Sequence, residues 1–150
     1  MRLRGVSLAA TVAALPAAAQ ACVIVPPSCE LPSGIQVQLM DFQGDAVLVE
    51  ESDATRSRAI LVHCPSRQAV QTDYASFDDH TARDAQTRAV WSVMDMLHDD
   101  ARQTLAEVQA AIRSHGVAAR RWTAPAGYCG CDLPAIPFVG CPPLDDGAEG

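Results

Sequence analysis

The chain contains no lysine: all 11 of its basic residues are arginine, set against 18 acidic ones, for a net charge of −7. With only one adjacent basic pair, Arg120-Arg121, it lacks the concentrated positive surface that nucleic acid or an anionic membrane needs. Long apolar runs are missing too. Beyond the first 21 residues no window approaches the ~20 residues a membrane span requires. Catalytic signatures are also lacking: there is no G-x-S-x-G, no H-E-x-x-H, no phosphate-binding glycine loop and no dinucleotide fingerprint. No catalytic residue is assigned and no cofactor is expected. A hydrolytic site could then arise only where the fold converges a histidine with Asp or Ser on a pocket.

What is present begins with an export signal. Arg2 and Arg4 form a positive n-region, Val6 to Leu15 an apolar h-region, and Ala19-Gln20-Ala21 a small-residue cleavage site. Residues 1–21 are therefore read as a signal peptide, 22–143 as a single stapled domain, and 144–150 as an acidic, disordered tail. Arginine in place of lysine, with abundant alanine, points to a GC-rich bacterial genome, and so to a periplasmic or secreted destination. Cleavage would make Cys22 the first mature residue, where bacterial lipid anchors attach. Ala19 and Gln20 are poor neighbours for that modification, so the lipid anchor is the lesser expectation.

Periodicity supplies the fold class. Ile35, Val37 and Leu39 alternate with polar neighbours as in a half-wet strand; Ala46 to Val49, Ala59 to His63 and Ala69 to Thr72 follow at meander spacings. Val117 to Thr123 supplies a fifth strand. Glu50 to Arg58 reads as a polar loop, and Cys22 to Gly34 as an irregular lead-in. Val90, Met94, Leu97, Ala101, Leu105, Val108 and Ile112 lie within an arc of roughly 80° on a helical wheel. That stripe predicts one long helix from Ala82 to His115, capped by Thr81 and stopped by Gly116. Such a helix is about 50 Å long, against a domain diameter of roughly 36 Å, so it overhangs or bends near His98 to Asp100. The expectation is α+β: a four- or five-stranded, mainly antiparallel sheet packed on one long amphipathic helix and stapled by disulfides.

Six cysteines in an exported chain (Cys22, Cys29, Cys64, Cys129, Cys131 and Cys141) imply up to three bridges. A bond between Cys129 and Cys131 would be a strained ring, and excluding it leaves twelve of the fifteen pairings open. The rival reading treats Cys129-Gly130-Cys131 as a thiol-redox or soft-metal site, with His63 and Cys64 completing a ligand set. Adjacent strand residues point to opposite faces, which weighs against His63 and Cys64 acting together. An apparent copper box, Met94 to His98, dissolves on the wheel, which puts Met94 in the core and Met96 on the far side. Trp91 falls beside the stripe, at the sheet boundary or in an exposed contact patch. The leading reading is a non-enzymatic module that contacts a periplasmic or envelope protein.

Overall fold

The computed structural model describes residues 24–134 and 138–139. The stretch read as an export signal, Cys22, Cys141 and the acidic tail lie outside the described residues. Ile24–Val25 (β1) and Phe138–Val139 (β9) pair antiparallel as a small unit of their own. The second unit is a seven-stranded antiparallel sheet with two helices. Its strands are β2 (Ser28–Glu30), β3 (Gln36–Gln43), β4 (Ala46–Ser52), β5 (Arg56–His63), β6 (Gln68–Thr72), β7 (Ala75–Ser76) and β8 (Ala119–Thr123). They run in the order β2-β3-β4-β5-β6-β8, with β7 pairing on β5 beyond the end of β6.

The α+β class stands, but the sheet is larger than four or five strands. The stretch read as a polar loop is mostly ladder: β4 and β5 pair out to Ser52↔Ser57. Asp53 closes the remaining turn. Its carboxylate accepts from the backbone N–H groups of Thr55 and Arg56 at 2.9 and 3.1 Å and from the Arg56 guanidinium at 3.1 Å. The Thr55 amide first, and then the Arg56 side chain, bring its pKa down to about 2. Polarity misled because Glu51 and Ser57, although polar, are each only 1% exposed. The lead-in also contributes a strand, because Ser28 to Glu30 finds the edge of β3.

The single long helix is corrected to two, α1 (His80–Asp99) and α2 (Leu105–Ser114). Asp100 leaves the helical region with an extended backbone, and its carboxylate accepts from the Arg102 N–H at 3.0 Å. A side chain that satisfies the next turn's donors gives the backbone an alternative to helix. Thr104 then restarts the helix through a complete capping box. Its hydroxyl accepts from the Glu107 N–H at 3.2 Å, while the Glu107 carboxylate accepts from the Thr104 N–H at 2.7 Å. Thr104-x-x-Glu107 was legible in the sequence; the stripe masked it by keeping phase through the break. Ala101 is exposed, although the stripe placed it in the core. At the other end Asp79, not Thr81, caps α1, its carboxylate accepting from Ala82 N–H at 3.0 Å.

Both helices cover one face of the sheet. Ala89, Val90, Val93, Met94 and Leu97 from α1, with Val108 and Ile112 from α2, pack on Leu48, Ala59, Leu61 and Val70. The other face, built on Val37, Val49, Ile60, Val62 and Ala69, is covered by the C-terminal coil through Ala124 and Tyr128.

The two starts make separable predictions. Thr104→Ala should cost about 1 kcal/mol by urea unfolding, as lost N-caps do, whereas Thr81→Ala should stay within about 0.5 kcal/mol. Equal effects would mean that the second cap carries nothing.

Candidate functional site

The cysteines lie on the coil-covered face. Cys29 on β2 is bonded to Cys129, and Cys64, just past β5, to Cys131. The C-x-C pair sits in a single 3-10 turn, Cys129–Cys131, and its two sulfurs reach the edge strand β2 and the end of the interior strand β5. Gly130 is needed there: a Cβ would stand 2.6 Å from a ring carbon of Tyr128. The four sulfurs of Cys29, Cys64, Cys129 and Cys131 are thus all in bridges. His63 is not brought to them. It points to the helix face, with its Nδ1 2.7 Å from Ser66 Oγ, while Cys64 packs with the coil-face cluster. Among the described residues no group of three or more His, Cys, Asp or Glu could hold a metal ion.

Next to the bridges is a buried charge that the sequence reading placed in a loop. Glu51 is 1% exposed. One carboxylate oxygen, Oε2, accepts from Arg58 Nε and Nη2 at 3.0 and 2.8 Å, and the other, Oε1, accepts from the Tyr128 hydroxyl at 2.6 Å. Burial first, and then the Glu51 hydrogen bond, hold the Tyr128 phenol well above the usual tyrosine range. Burial also raises Tyr74, whose ring lies under the Arg56 and Arg58 guanidiniums at 4.0 and 4.5 Å. Trp122 meets Tyr128 edge-on at 5.4 Å. Glu51, Arg58 and Tyr128 satisfy one another and fasten the coil to the sheet.

The large hydrophobic side chains left exposed lie on the helix side. Met40 and Trp91, each 39% exposed, are the large hydrophobics that stay exposed among the described residues. Both border a shallow cleft of about 80 Å³ with Leu48, Val90, Thr87 and Glu50. The shoulder has a backbone cause. The β3–β4 register shifts between Leu39 and Asp41, so Met40 is the extra residue of a β-bulge. The bulge also turns Asp41 to the helix side, where it lies 3.2 Å from His98 Nε2. His98 is therefore exposed and engaged by Asp41, and Met94 is 1% exposed in the core, as the wheel required. Nothing in the sequence marks the bulge; the position of Trp91 beside the stripe was the available signal.

Comparison with protein-family models, with curated proteins and with solved structures finds no match to this chain. Function is argued from this geometry alone.

Two predictions follow from the coil face. Tyr128→Phe removes one hydrogen bond to a buried charge and should cost about 1.5–3 kcal/mol in urea unfolding. Because the folded phenol is raised, its contribution is fully present below the unfolded value of about 10 and is lost as pH climbs above it. An ultraviolet pH titration of wild type should therefore show Tyr128 ionising only with alkaline unfolding. Ionisation in a folded protein near the free-tyrosine value would refute the burial.

Mass mapping of the unreduced, exported protein should recover peptides linked 29–129 and 64–131. Elimination then leaves Cys22 and Cys141 as the remaining pair, and a 22–141 linkage would exclude the lipid anchor. A 129–131 linkage would overturn the stapled arrangement.

Proposed function

We propose that the chain is an extracytoplasmic, non-enzymatic domain that binds another protein through the Met40–Trp91 shoulder. The observation that carries this reading is the placement of two half-exposed large hydrophobics on neighbouring elements, around one shallow cleft. Aromatic and methionine side chains are the residues enriched where proteins bind one another. The rim defines the partner's chemistry. Glu50 lines the cleft, and Asp84 and Asp95 are exposed one or two turns from Trp91 on α1, with Arg88 the nearby cation. The shoulder therefore suits an apolar protrusion flanked by basic groups on an envelope protein.

Export through residues 1–21 and a periplasmic or secreted location belong to the same proposal. The two disulfides support it, since such bonds persist in oxidising compartments. No helix among the described residues is long and apolar enough to cross a membrane.

The test is site-specific photo-cross-linking of the exported chain in its own cells. A photoreactive residue at position 91 should give a discrete adduct that Met40→Ser removes, while the same residue at exposed position 121 gives none. No adduct from position 91, or the same adducts from both positions, would refute the shoulder as the contact.

A further inference from the structure

A second feature of the helix side is unrelated to the shoulder. Where α1 ends and α2 restarts, the helices do not close on the sheet, and a cleft of about 190 Å³ remains beneath their junction. Its walls are Leu61 from β5, Leu97 from α1, and Leu105 and Val108 from α2. Its polar lining comes from His63, Ser66 and Gln68 at the β5–β6 turn and from Gln103 in the helix connection. A cavity of roughly 150 Å³ is enough to take a benzene ring, so this one admits a body of that size with a small head group. A larger cleft, about 230 Å³, runs beside Ala75, Ala82, Ala85 and Val117, but the Gln86 amide N–H groups on its lining are already given to Thr72 and the Asp73 carbonyl.

The polar groups of the junction cleft are centred on His63 and Ser66. Ser66 Oγ accepts from the Gln68 N–H at 3.3 Å and lies 2.7 Å from His63 Nδ1, closer than its 3.4 Å approach to the His63 carbonyl. Ser66 Oγ can serve Nδ1 in either sense: where Nε2 carries the imidazole proton, the hydroxyl donates to Nδ1; where Nδ1 carries it, Nδ1–H donates to Oγ and the hydroxyl to the His63 carbonyl. In the imidazolium form Nδ1–H donates back to Ser66 and Nε2 still bears hydrogen. Nε2 makes no hydrogen bond among the described residues, and an anionic ligand in the cleft would select the forms in which it bears hydrogen. Among the described residues no carboxylate lines the cleft, in a chain whose net charge is −7. The nearest acid on the helix connection, Asp100, is taken up by Arg102.

This is the convergence of His and Ser on a pocket that a hydrolytic site would need, but the other parts of that machinery are absent. No carboxylate hydrogen-bonds His63 among the described residues, and the serine is on Nδ1. The Gln68 N–H, a potential oxyanion donor, is given to Ser66 itself. An apolar body with a histidine and side-chain amides at an acid-free rim is instead a binding site. We infer that the cleft under the α1–α2 junction binds a small monocarboxylate with an apolar body about the size of a benzene ring, with His63 Nε2 donating to the carboxylate. Ser66 is the positioning residue, its hydroxyl donating to Nδ1 when the neutral imidazole carries its proton on Nε2.

The experiment uses the exported, disulfide-intact protein, with benzoate as probe and benzylamine and benzamide as matched controls, followed by amide NMR. Benzoate should shift the resonances of Leu61, Leu97, Leu105 and Val108, and do so with at least tenfold higher affinity than either control. His63→Ala, a change at a partly exposed residue, should weaken benzoate about tenfold, the effect of one hydrogen bond to a charged group. Leu105→Phe, which fills the cleft, should abolish the shifts. If it does not fold, its loss of dispersed amide signals will show that, and His63→Ala decides alone. No shift at the lining residues at millimolar benzoate overturns the inference. So does equal binding of benzylamine or benzamide, or unchanged benzoate affinity in His63→Ala.

Discussion

The buried carboxylate of Glu51 is the constraint to which the rest of the sheet is fitted. A carboxylate at 1% exposure is sustained only by full compensation, since an ion taken out of water costs several kcal/mol even after the protein relaxes. Arg58, one strand over on β5, supplies the charge, and Tyr128 supplies the remaining hydrogen bond from 77 residues further along the chain. That last bond ties the coil to one place on the sheet. The Cys29–Cys129 and Cys64–Cys131 bridges attach directly after Tyr128 in sequence and close loops of 100 and 67 residues. In the chain-entropy account, loops that long give about 4–5 kcal/mol each when taken singly. The sulfurs thus hold the coil near the sheet, while Glu51 decides which ring lies over it.

A sheet with two apolar faces must be covered twice, and the two covers were unequally legible in the sequence. The helical one announced itself through a 3.6-residue stripe; Val90, Met94, Leu97, Val108 and Ile112 are buried where the wheel put them. Its division was visible only in capping chemistry, because α2 resumes with the stripe in phase. The coil cover has no period to read. Prolines, glycines and cysteines between Pro125 and Cys131 specify a path through individual contacts, such as the Gly130 that lets the Tyr128 ring lie close. Side-chain alternation gave the strands, and it also explains the error at Glu50 to Arg58. Hydrophobic pattern assigns burial by residue type, whereas Glu51 is buried by virtue of partners far away in sequence.

The same logic separates structure from chemistry at the cysteines. Two thiols one residue apart invite a redox reading, but the 3-10 turn sends each sulfur to a different strand region, and His63, adjacent in sequence to Cys64, faces the opposite side of the sheet. Strand alternation turns that adjacency into separation across the sheet's thickness.

The two faces therefore divide the work. On the coil face Glu51, Arg58, Tyr128 and the four described sulfurs are committed to one another, as a fastening needs, and Gln71 Oε1 is the buried polar atom there without a partner among the described residues. On the helix face the compromises accumulate: a bulge leaves Met40 beside Trp91, and a helix broken at Asp100 leaves a gap above His63 and Ser66. Both are places where the backbone departs from regular geometry. Regular packing would have buried Met40 and filled the gap with Ala101, which the break instead leaves exposed. A sheet already held by covalent bridges on one side can tolerate such departures on the other. Function is best sought on the face the disulfides do not hold.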